Sequence, residues 1–149
     1  MDRSFKYQNE LIAVAEFRAC NFPPDNLRVP DFAEDVFRFI FDNVDHPNNH
    51  KPPFFIKPKR ANNPNDNMKS DGYALSCYEQ EIQAKTAFQK FSSNIRNFAQ
   101  TAGNSLCKGM LDENDGLVDN TTNSGHFNLY EYEGCDLLQK FVFIEKLID

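Results

Sequence analysis

A chain of 149 residues with 40% hydrophobic and 26% charged side chains has the composition of one ordinary globular domain, long enough to bury a core without metal or disulfide staples. Its formal charge of −6, from 16 basic and 22 acidic residues, argues against indiscriminate nucleic-acid binding and against attraction to anionic membranes. The core is expected to be aromatic, with 15 Phe and 5 Tyr against no Trp.

The N-terminal stretch MDRSFKYQNELIAVAEF has no uninterrupted apolar h-region and no small-residue cleavage site. No run approaches the roughly 20 apolar residues of a membrane span, so a cytoplasmic location without membrane contact is expected. Leu11 to Phe17 fits helix and strand alike. After Pro30, Asp31 and Glu34 form a D-x-x-E start, and Phe32, Val36, Phe37, Ile40, Phe41 and Val44 cover a wide apolar arc. This spacing predicts a helix with Asp35, Arg38 and Asp42 facing water. Residues 46–70 then hold five of the eight prolines, several Asn, and five bases against one acid, Asp66. Proline and Asn break both regular periods, which predicts a basic loop with one short extended piece at Phe54-Phe55-Ile56.

Tyr73-Ala74-Leu75 reads as a strand ending at Ser76, and Ser76-Cys77-Tyr78-Glu79 reads as an S-x-x-E capping box that opens a helix. Ala84, Phe88, Phe91, Ile95, Phe98 and Ala102 recur at intervals of 4, 3, 4, 3 and 4, on one helical face, and Gly103 supplies the stop. Residues 111–136 form an acidic segment, with Asp112, Glu113, Asp115, Asp119, Glu131, Glu133 and Asp136 and no Lys or Arg. Inside it, Gly125 to Gly134 alternates by two, which predicts a strand with Phe127, Leu129, Glu131 and Glu133 on one face. His126, Asn128, Tyr130 and Tyr132 fall on the other. From Leu137 to Ile148 the spacing admits a helix, but Phe141-Val142-Phe143-Ile144 favours a strand. The sum is a single domain over residues 1–149 of the α+β class: a small, mainly antiparallel sheet of four or five strands packed by two amphipathic helices.

Local chemistry is sparse. Cys20, Cys77, Cys107 and Cys135 contain no CxxC pair and read as isolated thiols, and Cys77 falls in the expected first turn of a helix, where the dipole lowers a thiol pKa. In Leu111-Asp112-Glu113-Asn114-Asp115-Gly116 the EF-hand frame fails, because position one is Leu111 and position twelve is Thr122, which leaves a solvated turn. His46 and His50 stand four apart, but Pro47 prevents a shared helical face and no third ligand is near, so no metal is expected. His126 opens a strand among carboxylates that would raise its pKa toward acid–base work.

One ordered pattern stands out: Arg60 after a short extended segment, Ser76 at the end of a strand, and Glu131-Tyr132-Glu133 on a late strand. This order resembles the R-S-E arrangement of ADP-ribosyltransferase-like domains, although Leu75-Ser76-Cys77 stands where that family has Ser-Thr-Ser and the first 50 residues are not covered. The resemblance implies NAD as cofactor, with Arg60 on its phosphates, Ser76 supporting the nicotinamide ribose pocket and Glu133 stabilising the oxocarbenium-like transition state. It also implies that Glu131 assists the acceptor, and a ring such as Tyr73 or Tyr78 would suit stacking on nicotinamide.

The two charge blocks suggest a different class of function that needs no cofactor. A charge-segregated surface, with Asp112, Glu113 and Asp115 on one side and Lys57, Lys59 and Phe55 on the other, suits docking of a protein partner. The leading expectation is therefore a cytoplasmic interaction module of accessory, immunity or inhibitor type. An NAD-dependent ADP-ribosyl transfer enzyme is the alternative.

Overall fold

Residues 3–148 are described by a computed structural model, in which six antiparallel strands form one sheet in the order β4-β5-β2-β1-β3-β6. The strands are β1 (Val36–Ile40), β2 (Leu75–Tyr78), β3 (Ser105–Gly109), β4 (Gly116–Val118), β5 (His126–Glu131) and β6 (Val142–Lys146). Five helices accompany them: α1 (Gln8–Phe17), the single turn α2 (Pro53–Ile56), α3 (Glu81–Asn94), α4 (Phe98–Ala102) and the single turn α5 (Leu137–Lys140). The class is α+β, as expected, with six strands instead of four or five.

Alternation along the strands sorts the core into two faces. On one, Val36, Ile40, Leu75, Cys77, Cys107, Val118, Phe127 and Leu129 pack under Leu111, Cys135, Leu137 and Phe141. The other face carries two coverings side by side. Ala84, Ala87 and Phe88 of α3 lie over Tyr78 and Leu106, with Phe37, Phe39 and Phe91 filling in. Phe5, Tyr7 and Leu11, the last from α1, lie over Tyr130 and Ala74. Ser76, His126 and Asn128 share this second face, because Ser76 pairs with Asn128 and Tyr78 with His126 across β2 and β5.

Several expectations are corrected. The predicted helix at 31–44 is instead β1, in which Val36, Arg38 and Ile40 are buried on one side while Phe37 and Phe39 lie on the other. Aromatic and β-branched residues on both sides of a short run suit a strand held between two layers, and such a run also mimics a helical arc. Arg38, expected in water, is 6% exposed. Ser76 and Cys77 belong to β2, not to a helix start; the α3 N-terminus lies at Gln80, whose N–H donates to the Gln83 side chain at 3.0 Å. The long helix also breaks: α3 ends at Asn94, Ile95 is extended (φ −117°, ψ 119°), and Asn97 takes a left-handed conformation (φ 61°) just before α4 starts at Phe98. Phe98 keeps its place in the apolar stripe by packing on Phe39, Phe88 and Phe91.

Phe54-Phe55-Ile56 is the helical turn α2, not extended chain, because a proline at the first helical position pre-sets φ where no N–H is needed. Leu11 to Phe17, open in the sequence, falls in α1. The strands expected at 125–134 and at the C-terminus are present as β5 and β6.

Candidate functional site

The basic stretch 46–70 is tied down from within. Phe54 is buried, edge-on to Tyr73 at 5.5 Å, and both Arg18 (5.4 Å) and Arg60 (5.7 Å) hold a guanidinium over its ring. Arg18, just past α1, donates to the carbonyls of Arg60 (2.9 Å), Asn63 (2.9 Å) and Asp66 (2.6 Å), fixing the backbone by charge-assisted hydrogen bonds. Arg60 is not a free phosphate grip: its Nε and Nη2 donate to the two carboxylate oxygens of Asp66 at 2.6 and 3.3 Å. That hydrogen bonding holds Asp66 below the usual carboxylate range despite some burial.

What remains outside is uniform in sign. Lys51, Lys57, Lys59 and Lys69 are exposed and have no ion-pair partner among the described residues. Phe55, 49% exposed, leans on Tyr7 and lies beneath the Lys51 ammonium at 5.2 Å.

The acidic segment is spent differently. Asp112 and Asp115 converge on Lys140, with Asp112 at 2.9 Å, and Asp115 also accepts from the Asp112 N–H at 2.8 Å. The expected solvated turn is thus partly interior, since Asp115 is buried. The hydrogen bond from Lys140 lowers the Asp112 pKa; burial opposes the charge on Lys140, but its bonds to Asp115 and Asp112 outweigh that and raise its pKa. Glu131, its side chain 2% exposed, pairs with Lys6 at 2.7 Å, and Lys6 also donates to the Cys135 carbonyl at 2.6 Å. Asp136 accepts from the Leu138 N–H at the start of α5. Glu113 and Glu133 stay exposed and without an ion-pair partner among the described residues.

The R-S-E residues do not converge. Ser76 shares the helix-covered face with Asn128, whereas Glu131, three residues further along β5, points to the opposite face and into its pair with Lys6. Glu133 lies beyond the end of β5, where its N–H donates to the Ser4 carbonyl. A cleft of 550 Å³ between β1 and the start of α3 is lined by Glu34, Asp35, Phe37, Glu79, Glu81 and Lys108, with none of the R-S-E residues among its walls.

Two other predicted residues do meet: Ser76 Oγ and His126 Nε2 are 3.0 Å apart. Burial lowers the His126 pKa, and the Asp119 and Asp71 carboxylates offset this only in part, so the expected upward shift is reversed. Cys77, expected to be an activated thiol, is fully buried in β2, and burial pushes its pKa up to about 11. Asn128 escaped the sequence reading although it lies directly across from Ser76. Arg38 escaped it too. Its Nε donates to His50 Nδ1 at 3.2 Å and its Nη1 to the Ser76 carbonyl, closing a seam where β1 and β2 are in register only at Phe37 opposite Tyr78, among the described residues. Burial and the neighbouring guanidinium lower the His50 pKa from 6.5 to about 3. A charged residue inside the run Val36-Phe37-Arg38-Phe39-Ile40 was the available signal.

No family model, curated protein or solved structure matches this chain. Among the described residues no helix is long and apolar enough to cross a membrane, and no three His, Cys, Asp or Glu side chains come together as a metal centre.

Proposed function

We propose that this chain is a protein-interaction module and that its docking element is the basic, aromatic surface of residues 51–69, which receives an acidic segment of a protein partner. The observation that carries this reading is the set of four exposed lysines, Lys51, Lys57, Lys59 and Lys69, without ion-pair partners among the described residues, with the Lys51 ammonium over the half-exposed Phe55, on a loop whose backbone is already fixed by Arg18 and Phe54. A fixed loop loses little entropy on binding, which favours affinity. Exposed cations steer encounter more than they add to affinity, while an aromatic ring supplies the anchor. In the acidic segment, the buried Glu131 and Asp115 are held by Lys6 and Lys140 and play a structural part. Four cysteines that remain free thiols suit a reducing, cytoplasmic setting, where an accessory, immunity or inhibitor role would place such a module.

The test compares wild type, Lys57→Glu/Lys59→Glu and Phe55→Ala as baits at low and high salt, read by quantitative mass spectrometry. Proteins held by the wild type should be lost from both variants and should weaken as salt rises. Equal capture by all three baits, or capture indifferent to salt, overturns the reading.

A further inference from the structure

Ser76 is exposed although β2 is an interior strand, third of six. The two coverings of that face, α3 on one side and the layer of α1 and Tyr73 on the other, leave the middle of β2 open, and Ser76, His126 and Asn128 form its floor. We propose that this floor is a nucleophilic site, separate from the docking loop, in which Ser76 attacks a neutral or cationic carboxylic ester with His126 as general base and the Asn128 amide as oxyanion donor.

The geometry supports each role. Ser76 Oγ stands 3.0 Å from His126 Nε2, within reach for proton transfer. With the ring proton on Nδ1, Nε2 accepts from the hydroxyl. His126 is fixed edge-on against Tyr78 at 5.4 Å, and its lowered pKa keeps it an unprotonated base at neutral pH. As it takes up a proton, the nearby Asp119 and Asp71 carboxylates favour the imidazolium. The same charges disfavour an anionic substrate, which is why the ester is neutral or cationic.

Asn128 is held by Asp119, which accepts from its N–H at 2.7 Å and from Nδ2 at 2.9 Å. Its backbone thus points away from β2, while the Ser76 carbonyl points toward β1 to meet Arg38. Ser76 and Asn128 therefore form a non-hydrogen-bonded pair, the arrangement that brings side chains closest. One Nδ2 hydrogen is committed to Asp119, and the second is free among the described residues to meet an oxyanion.

In the reaction, the Oγ–carbon bond forms as His126 takes the hydroxyl proton. The tetrahedral oxyanion then collapses, breaking the ester C–O bond, and the leaving alcohol departs with that proton. Water repeats the sequence on the acyl-serine, releasing the acid and restoring Ser76.

The probe is diisopropyl fluorophosphate, a neutral reagent whose phosphorus bonds to Oγ as fluoride leaves and the proton passes to His126. Peptide mass spectrometry of the folded wild type should show the adduct on Ser76, with labelling about 100-fold slower in His126→Gln. In the wild type alone, the labelling rate should rise with pH through a single step below pH 6.5, where His126 titrates. No adduct at Ser76, a flat pH profile, or equal labelling of His126→Gln overturns the site. None of these outcomes bears on the docking surface.

Discussion

The basic loop 46–70 and the acidic segment 111–136 look like mirror images in sequence, yet the fold treats them oppositely. Two acids of the segment are drawn inward, Glu131 onto Lys6 and Asp115 onto Lys140; the exposed Asp112 also reaches Lys140, Asp119 clamps Asn128, and Glu113, Glu133 and Asp136 stay at the surface. The loop neutralises one guanidinium with its own Asp66 and leaves four lysines in water. The reason is reach. Glu131 and Asp115 sit on or beside strands, where alternation turns every second side chain to the core. Residues 57–69 lie in turns at the surface, where a long cation stays solvated. Net charge by segment therefore says little about which charges a partner can meet; pairing decides that.

The strongest way to break the comparison is to strand a buried acid. Lys6→Met leaves Glu131 buried without a counter-charge and should cost roughly 3–5 kcal/mol in urea unfolding. Adding Glu131→Gln should recover part of that loss. If Lys6→Met alone is neutral, the acidic segment is not structural. Next in size, Lys140→Met removes the partner of Asp115 and should cost about 2 kcal/mol by the same assay, being a charge-assisted pair at the edge of the core.

The third prediction concerns pH, and it turns on a residue that belongs to the basic stretch by sequence and to the interior by contact. Folded His50 stays neutral to about pH 3, whereas an unfolded imidazole protonates near 6.5. In that window the unfolded chain binds the extra proton, so stability is full above pH 6.5 and falls as pH drops toward 3. His50→Gln, which retains an acceptor for Arg38, should flatten the dependence of the urea midpoint on pH across that range. An unchanged slope would remove His50 from the acid response. Smallest of all, Lys57→Glu/Lys59→Glu should leave the unfolding free energy from urea titration within about 0.5 kcal/mol of wild type, because neither lysine is paired among the described residues. A large loss there would mean that the loop charges are structural after all.

Legibility in the sequence followed the kind of signal each segment carries. β5 was readable because His126 to Glu131 alternates between two bounding glycines, and β6 because Val142-Phe143-Ile144 is rich in strand formers. β1 was misread because its aromatics lie on both faces, which a periodicity test credits to a helix. Ser76 was assigned a cap from a pattern, S-x-x-E, that also fits a strand followed by a turn. Its actual neighbours, His126 and Asn128, are fifty or more residues away in sequence. For the candidate site, the residue types Ser76 and His126 were visible and their meeting was not.

By itself the sequence determined the class, the loop and its charge, the strands β5 and β6 and the stop at Gly103, all of which rest on local backbone preference and spacing within one element; β3 and β4 were not marked by it. Only the tertiary structure decided that β2 lies between β5 and β1, that Arg38 and Glu131 go inward, and which charges stay free. Those outcomes depend on strand order and on which face each layer covers. Both are set by long-range packing of the whole aromatic core, and no window of residues carries that information.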